Sequence, residues 1–279
     1  MIKLIIDSTC DLDDLKIKQN NIDMIPLQVI INNINYKDRI EMDIETLYDH
    51  IRKDSDIKTS LPAYDDIQPI FEKYAKDNQP FIFFSFSKSL SGTNNFANIL
   101  VKELKENYNT QMAVVDLKNG GLANAMILEK VIEFTKLNQN FDEIIAYAEK
   151  LANNMHHVVM LEDLTQLRKG GRIGTVKSII SSALSIKPLL KITEDGIKSV
   201  KTAIGTKRAL NELVLYLEKN APNKNTEVGI NYSANENLLN SMIKLLNNKG
   251  YNNLRIGRIA SVMTAHIGLD AVSLCFFHK

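Results

Sequence analysis

Tryptophan is absent from the 279-residue chain, and it holds only two cysteines, Cys10 and Cys275. These lie far apart, with no CxxC pair and no Cys/His metal spacing, so zinc ribbons and disulfide scaffolds are not indicated. Two reduced, buried thiols are the expectation. An excess of one charge is also missing: 34 Lys+Arg stand against 33 Asp+Glu, a formal net charge of +1. That balance gives no electrostatic reason to expect nucleic acid or an anionic membrane surface as partner. No apolar run approaches the roughly 20 residues of a membrane span. The opening "MIKLIIDSTCD" has three apolar residues between Lys3 and Asp7, too few for a signal peptide. A cytoplasmic protein with no integral membrane association is expected. Repeats, low-complexity segments and long linkers are lacking too.

The chain is 44% hydrophobic and 24% charged, an ordinary globular profile with length enough for one large domain or two smaller ones. "KLIID" (3–7), "MIPLQVII" (24–31), "FIFFSF" (81–86) and "MAVVD" (112–116) read as buried strands. Helical patterns fall between them, at 43–53, after Pro62, after the 87–93 loop, and from about 122 to 153. Strand alternating with helix predicts a parallel, doubly wound sheet in a first α/β domain, residues 1–155. From 156 to 279 the pattern changes. Two strands within 185–205 are joined by a turn at Glu194–Gly196, and helices near 206–219 and 235–248 alternate with "EVGINY", "LRIGRI" and "AVSLCFF". A hairpin inside such a pattern predicts a mixed α/β second domain with antiparallel pairing.

Hydroxyl-rich segments carry the chemistry. "SLSGT" (89–93) follows a strand and precedes a helix, at the carboxyl edge where open α/β sheets bind ligands. Gly92 allows close backbone approach, and free amides at the helix start favour an anion; a plain capping turn is the alternative. Thr59 and Ser60 of "TSLP" either cap the next helix or join Ser91 and Thr93 around a carboxylate or phosphate. "LRKGGRIG" (167–174) brings Arg168, Lys169 and Arg172 to a Gly-rich turn, but the Gly174–Lys177–Ser178 spacing is not a Walker A loop. His266 in "VMTAHIG" is read either as the base of a Ser91 nucleophile or as a partner for a bound anion. A GxSxG elbow is absent, as is an evident acidic partner for the imidazole.

In order and spacing, "DSTCDL", "TSLP", "SLSGT", "LRKGGRIG" followed by "IKPLL", "EDGI" and the late His of "AHIG" resemble the DegV family across essentially the whole chain. These are bacterial fatty-acid-binding proteins of the fatty acid kinase system. The resemblance implies a two-domain α/β fold holding one fatty acid in a buried apolar tunnel between the domains. It implies that Thr59, Ser91 and His266 bind the carboxylate, with Ser60, Gly92 and Thr93 beside them. It further implies that a separate ATP-dependent kinase subunit phosphorylates the carboxylate to an acyl phosphate, the binding protein being no enzyme and needing no cofactor. Arg168, Lys169 and Arg172 are the candidate contacts to that partner.

Three positions depart from the family pattern. Ile204 stands where an Arg is usual, Ile267–Gly268–Leu269–Asp270 replaces Thr-Gly-Pro-Gly after the His, and Leu117 replaces a common Ser. These suggest an alternative: a divergent carrier of lipid or another apolar carboxylate without a kinase partnership. A serine hydrolase using Ser91 and His266 is a third reading, from a different class.

Overall fold

A computed structural model describes residues 2–137, 140–174, 176 and 185–278. In chain order the first half comprises β1 (Lys3–Asp7), α1 (Asp14–Gln19), β2 (Asp23–Ile25), β3 (Gln28–Ile31), β4 (Ile34–Lys37), α2 (Ile44–Arg52) and β5 (Ile57–Ser60). It continues with α3 (Tyr64–Lys76), β6 (Phe81–Ser85), α4 (Thr93–Lys105), β7 (Met112–Asp116), α5 (Gly121–Leu137) and α6 (Phe141–Asn154). The second half comprises β8 (Met155–Met160), α7 (Thr165–Lys169), β9 (Ile186–Thr193), β10 (Gly196–Ile204), α8 (Thr206–Asn220), β11 (Val228–Tyr232), α9 (Glu236–Asn248), β12 (Leu254–Arg258), α10 (Ser261–Ile267) and β13 (Val272–Phe277).

The strand 81–85 shows why the first half is doubly wound. Every residue of β6 is buried, because alternate side chains enter two different cores. Phe81 and Phe83 pack with Phe71 of α3 and Leu100 of α4. Ile82 and Phe84 pack with Met126 and Val131 of α5 and Ala148 of α6. The parallel sheet has the order β2-β1-β6-β7. Its helices bury both faces, as the apolar run predicts.

One expected strand divides. "MIPLQVII" is broken at Pro26–Leu27: β2 joins the parallel sheet, and β3 leaves it to form an antiparallel sheet of order β4-β3-β5. Proline has no N–H for a ladder, which favours a break there. The second change concerns "TSLP". Thr59 and Ser60 end strand β5, with Thr59 opposite Val29 and Ser60 opposite Gln28. They do not cap α3, whose N-cap is Ala63 with no side-chain hydrogen bond.

The mixed sheet has the order β10-β9-β8-β13-β11-β12, all antiparallel except β11–β12. On one face, Val158, Met160, Leu274 and Phe276 meet Leu213 and Leu217 of α8 and Met242 of α9. Helix α5 binds this sheet to the first: Met126 and Leu122 approach Gly229 so closely that a Cβ there would lie 2.8 Å from Met126 Sδ and 2.5 Å from Cys275 Sγ. Cys10 and Cys275 are buried, unbridged thiols. Among the described residues no helix is long and apolar enough to cross a membrane. Lys177 and Ser178 lie outside the described residues.

Candidate functional site

The other face of the mixed sheet is not fully covered. Alternation along β8 turns His157 and Val159 away from the helical core of Val158 and Met160. They line a cavity of about 230 Å³. The facing wall comes from the first half: Leu27, the end of β5 from Thr59 to Leu61, Phe86, and the loop from Leu90 to Gly92. Helix α10 closes a side with Val262, Met263 and His266. Leu161, Leu167, Leu190, Ile197 and Ile259 supply an apolar lining that is also a packed cluster.

At one part of this cavity the polar side chains converge. Thr59 Oγ1 and His266 Nε2 lie 2.8 Å apart, joining two elements 207 residues distant in sequence. Ser60, Ser91 and Gly92 also line the cavity, and Arg172 joins them. Ser91 Oγ is 2.9 Å from Thr93 Oγ1 and accepts from the Thr93 amide at 3.3 Å. Thr93 is fully buried behind Ser91 and does not line the cavity, so it orients the serine rather than meeting a ligand. Gly92 caps α4 without a side-chain bond.

Burial, then the Arg172 cation, pushes the His266 imidazole down to about 4, so it is neutral at ordinary pH. Its Nδ1 is buried without a partner among the described residues. Gly170 makes this packing feasible: a Cβ there would stand 2.0 Å from His266 Nδ1. These contacts are not those of a nucleophile and its base. Ser91 pairs with Thr93, His266 pairs with Thr59, and among the described residues no carboxylate holds the second imidazole nitrogen.

The three basic residues of "LRKGGRIG" separate. Arg172 is held inward, its Nε donating to Leu90 O at 3.2 Å and its Nη1 to Gly170 O at 2.9 Å. Arg168 and Lys169 are exposed on α7, and Lys169 pairs with Asp54. Two of the three departures also lie away from the cavity. Ile204 is exposed on β10, opposite Ile186, and Leu117 is buried in the core with α5. Only Ile267, next to the histidine, is part of the cavity wall. The missing Arg at 204 therefore does not leave the cavity without a cation, because Arg172 supplies one.

The sequence reading also missed a second polar cluster, at the amino end of α10. Asp11 accepts from Asn231 Nδ2 at 3.1 Å and from the Ala260 amide, at the N-cap of α10, at 3.2 Å. Asp7 accepts from the Phe86 amide at 2.6 Å, and Asp38 accepts from the Ser8 hydroxyl at 2.7 Å. Burial pushes these carboxyls up, Asp11 to about 7 and Asp7 and Asp38 to about 6. The available signal was the position of "DSTCD" at the carboxyl end of β1, the ligand edge of the parallel sheet. Among the described residues no group of His, Cys, Asp and Glu is placed to hold a metal.

The family model for DegV, described as an uncharacterised protein family, matches residues 1–279. A DegV domain-containing protein of Staphylococcus aureus is 28% identical over 282 residues, covering 99% of this chain and 98% of that one. A Thermus thermophilus structure, described as fatty acid binding of a DegV family protein, matches with a TM-score of 0.89 at 21% identity, covering 100% of this chain and 99% of the other. The Bacillus subtilis DegV, described as a fatty acid binding protein, matches with a TM-score of 0.86 at 24% identity, with the same coverage. On the full-length match, this chain belongs to the DegV family.

Proposed function

We propose that the cavity binds one long-chain fatty acid, with its carboxylate among Thr59, Ser60, Ser91, His266 and Arg172. The observation that carries this reading is one apolar cavity whose hydroxyls, neutral imidazole and guanidinium gather beside Leu90 and Gly170. A carboxylate leaving water needs several donors, and charge-assisted hydrogen bonds are the strongest available. The acyl chain needs only apolar wall, at about 0.8 kcal/mol per buried methylene. Relatives from Thermus and Bacillus described as fatty acid binding support the same ligand class.

In this reading residues 1–155 and 156–279 act as two domains, and the ligand lies between them in the cytoplasm. The chain presents the carboxylate to a separate ATP-dependent kinase subunit and is not itself the catalyst. A carboxylate oxygen attacks the γ-phosphorus of ATP, the bond to the β-phosphate oxygen breaks, and acyl phosphate and ADP result. The exposed Arg168 and Lys169, next in sequence to the cavity residue Leu167, are available to that partner, while Arg172 is assigned to the ligand. Extraction of the purified protein followed by mass spectrometry is expected to yield a long-chain acid. Recovery of none, with no uptake on incubation, would sink the proposal.

One observation favours a second reading, a lipid carrier without a kinase. Ile267, where the resembled family pattern usually has Thr, puts an apolar side chain on the cavity wall next to His266. Acyl phosphate formation with a cognate kinase would rule that reading out.

A further inference from the structure

The cavity has a second polar stretch, remote from His266 along the mixed sheet. Strand β13 leaves α10 with Val272 opposite Met160, and its Cys275 lies opposite His157. Leu161, just past the end of β8, packs in one cluster with Ile267 and Leu90 near the His266 end, and His157 lies four residues before it, about 13 Å at the rise of a strand. Its Nε2 is 3.1 Å from Ser273 Oγ, and the Ser273 hydroxyl lies 3.4 Å from Asn231 O. His157, Ser273 and Asn231 line the same cavity as His266, whose other lining residues include Leu161, Leu190 and Ile197.

Beyond His157 the walls change character. A second cavity, of about 250 Å³, shares His157, Lys191 and Ile192 with the first, and Ser87, Asp116, Lys118 and His156 are part of its lining. His157 is thus a polar partition between an apolar chamber and a polar one. Burial pushes its imidazole down to about 4, so at ordinary pH it is a neutral group with one donor and one acceptor nitrogen. Ser273 engages one nitrogen, and the other has no hydrogen bond among the described residues.

A plain hydrocarbon tail laid against His157 and Ser273 offers these polar side chains no partner and displaces whatever water meets them. A hydroxyl, which donates and accepts, matches either tautomer without bringing a charge. We propose that the cavity is shaped for long-chain acids bearing a hydroxyl in the distal half of the chain, with His157 and Ser273 as the groups that recognise it. This inference rests on the fatty-acid reading of the cavity and adds the second subsite to it. Sites that hydrogen-bond a substrate hydroxyl discriminate strongly against analogues lacking it, whereas apolar pockets discriminate weakly.

The test compares dissociation constants of stearic, 3-hydroxystearic and 12-hydroxystearic acids for the full-length protein and for His157→Phe. The native protein is expected to bind 12-hydroxystearic acid at least as tightly as stearic acid and to bind 3-hydroxystearic acid more weakly. In His157→Phe the ratio of the first two affinities is expected to fall about tenfold, whatever the change in stearic acid affinity itself. A native protein that rejects both hydroxy acids alike while binding stearic acid would overturn this inference and leave the fatty-acid reading standing. Failure to bind any of the three would overturn both. If His157→Phe does not fold, the native comparison alone decides, since an apolar wall rejects the distal hydroxyl as it rejects the proximal one.

Discussion

The two ends of α10 sit in polar surroundings of opposite chemistry. At its amino end are three carboxyls, the buried Asp7 and Asp38 and the half-buried Asp11, engaged by backbone amides, Ser8 and Asn231. At its carboxyl end His266 meets Thr59, with Ser91 and Arg172 on the same cavity and no carboxylate in the lining. The first cluster is rich in acceptors matched within the protein, except Asp38 Oδ1, which is buried without a partner among the described residues. The second is rich in donors and opens into a cavity. Small polar residues with one charged type thus serve two purposes: where acids dominate they fasten two halves of the chain, and where donors dominate they form a receptor for an anion.

The largest expected effect breaks the fastening. Asp11→Ala leaves the Ala260 amide and the Asn231 Nδ2 without their acceptor, at a cost of about 3 kcal/mol. Urea unfolding should show it as a lower midpoint at unchanged slope. Arg172→Ala acts at the other end: loss of the cation should weaken fatty-acid binding about 30-fold, or about 2 kcal/mol, with little change in unfolding. A calorimetric titration that finds equal affinity removes Arg172 from the site. Gly170→Ala is subtler. The helical backbone there accepts Ala, but the methyl group displaces His266 from Thr59, so about fivefold weaker binding is expected with a nearly unchanged melting temperature.

How much of this was legible can be judged residue by residue. The apolar 81–85 run and its alternation with helices declared the doubly wound sheet, because a strand buried on both faces has no polar positions to vary. "TSLP", "SLSGT" and the late histidine were picked out, and the cavity unites Thr59, Ser91 and His266. What could not be read depends on partners remote in the chain. Thr59 and Ser60 become strand only because β3 lies beside them, opposite Val29 and Gln28. Arg172 looked like an exposed turn residue, and it turns inward because the Leu90 carbonyl, 82 positions earlier, accepts from it. Asp11 meets its acceptor-seeking amide 249 positions away. No local periodicity encodes such pairings.

The smallest expected net effect is in the pH dependence of the native protein, where the two clusters oppose one another. The acids keep their protons when folded up to about 6 to 7, whereas the unfolded chain releases them near 3.8. They therefore lower stability as pH rises from about 4 to 7. His157 and His266 resist protonation down to about 4 when folded, against 6.5 when unfolded, so they raise stability over nearly the same interval. Asp11→Asn should gain on the native protein as pH rises through this window, and His266→Gln should lose on it. Parallel pH profiles for both variants and the native chain would show that neither cluster is buried as described.

The most direct measurement of the central claim is the affinity of a long-chain fatty acid for the native protein and for the Thr59→Ala, Ser91→Ala double variant. The account predicts one acid bound per native chain, and binding weaker by about 30-fold in a variant that unfolds at the same temperature. Equal affinity in the two proteins would contradict it, as would a native chain that takes up no fatty acid.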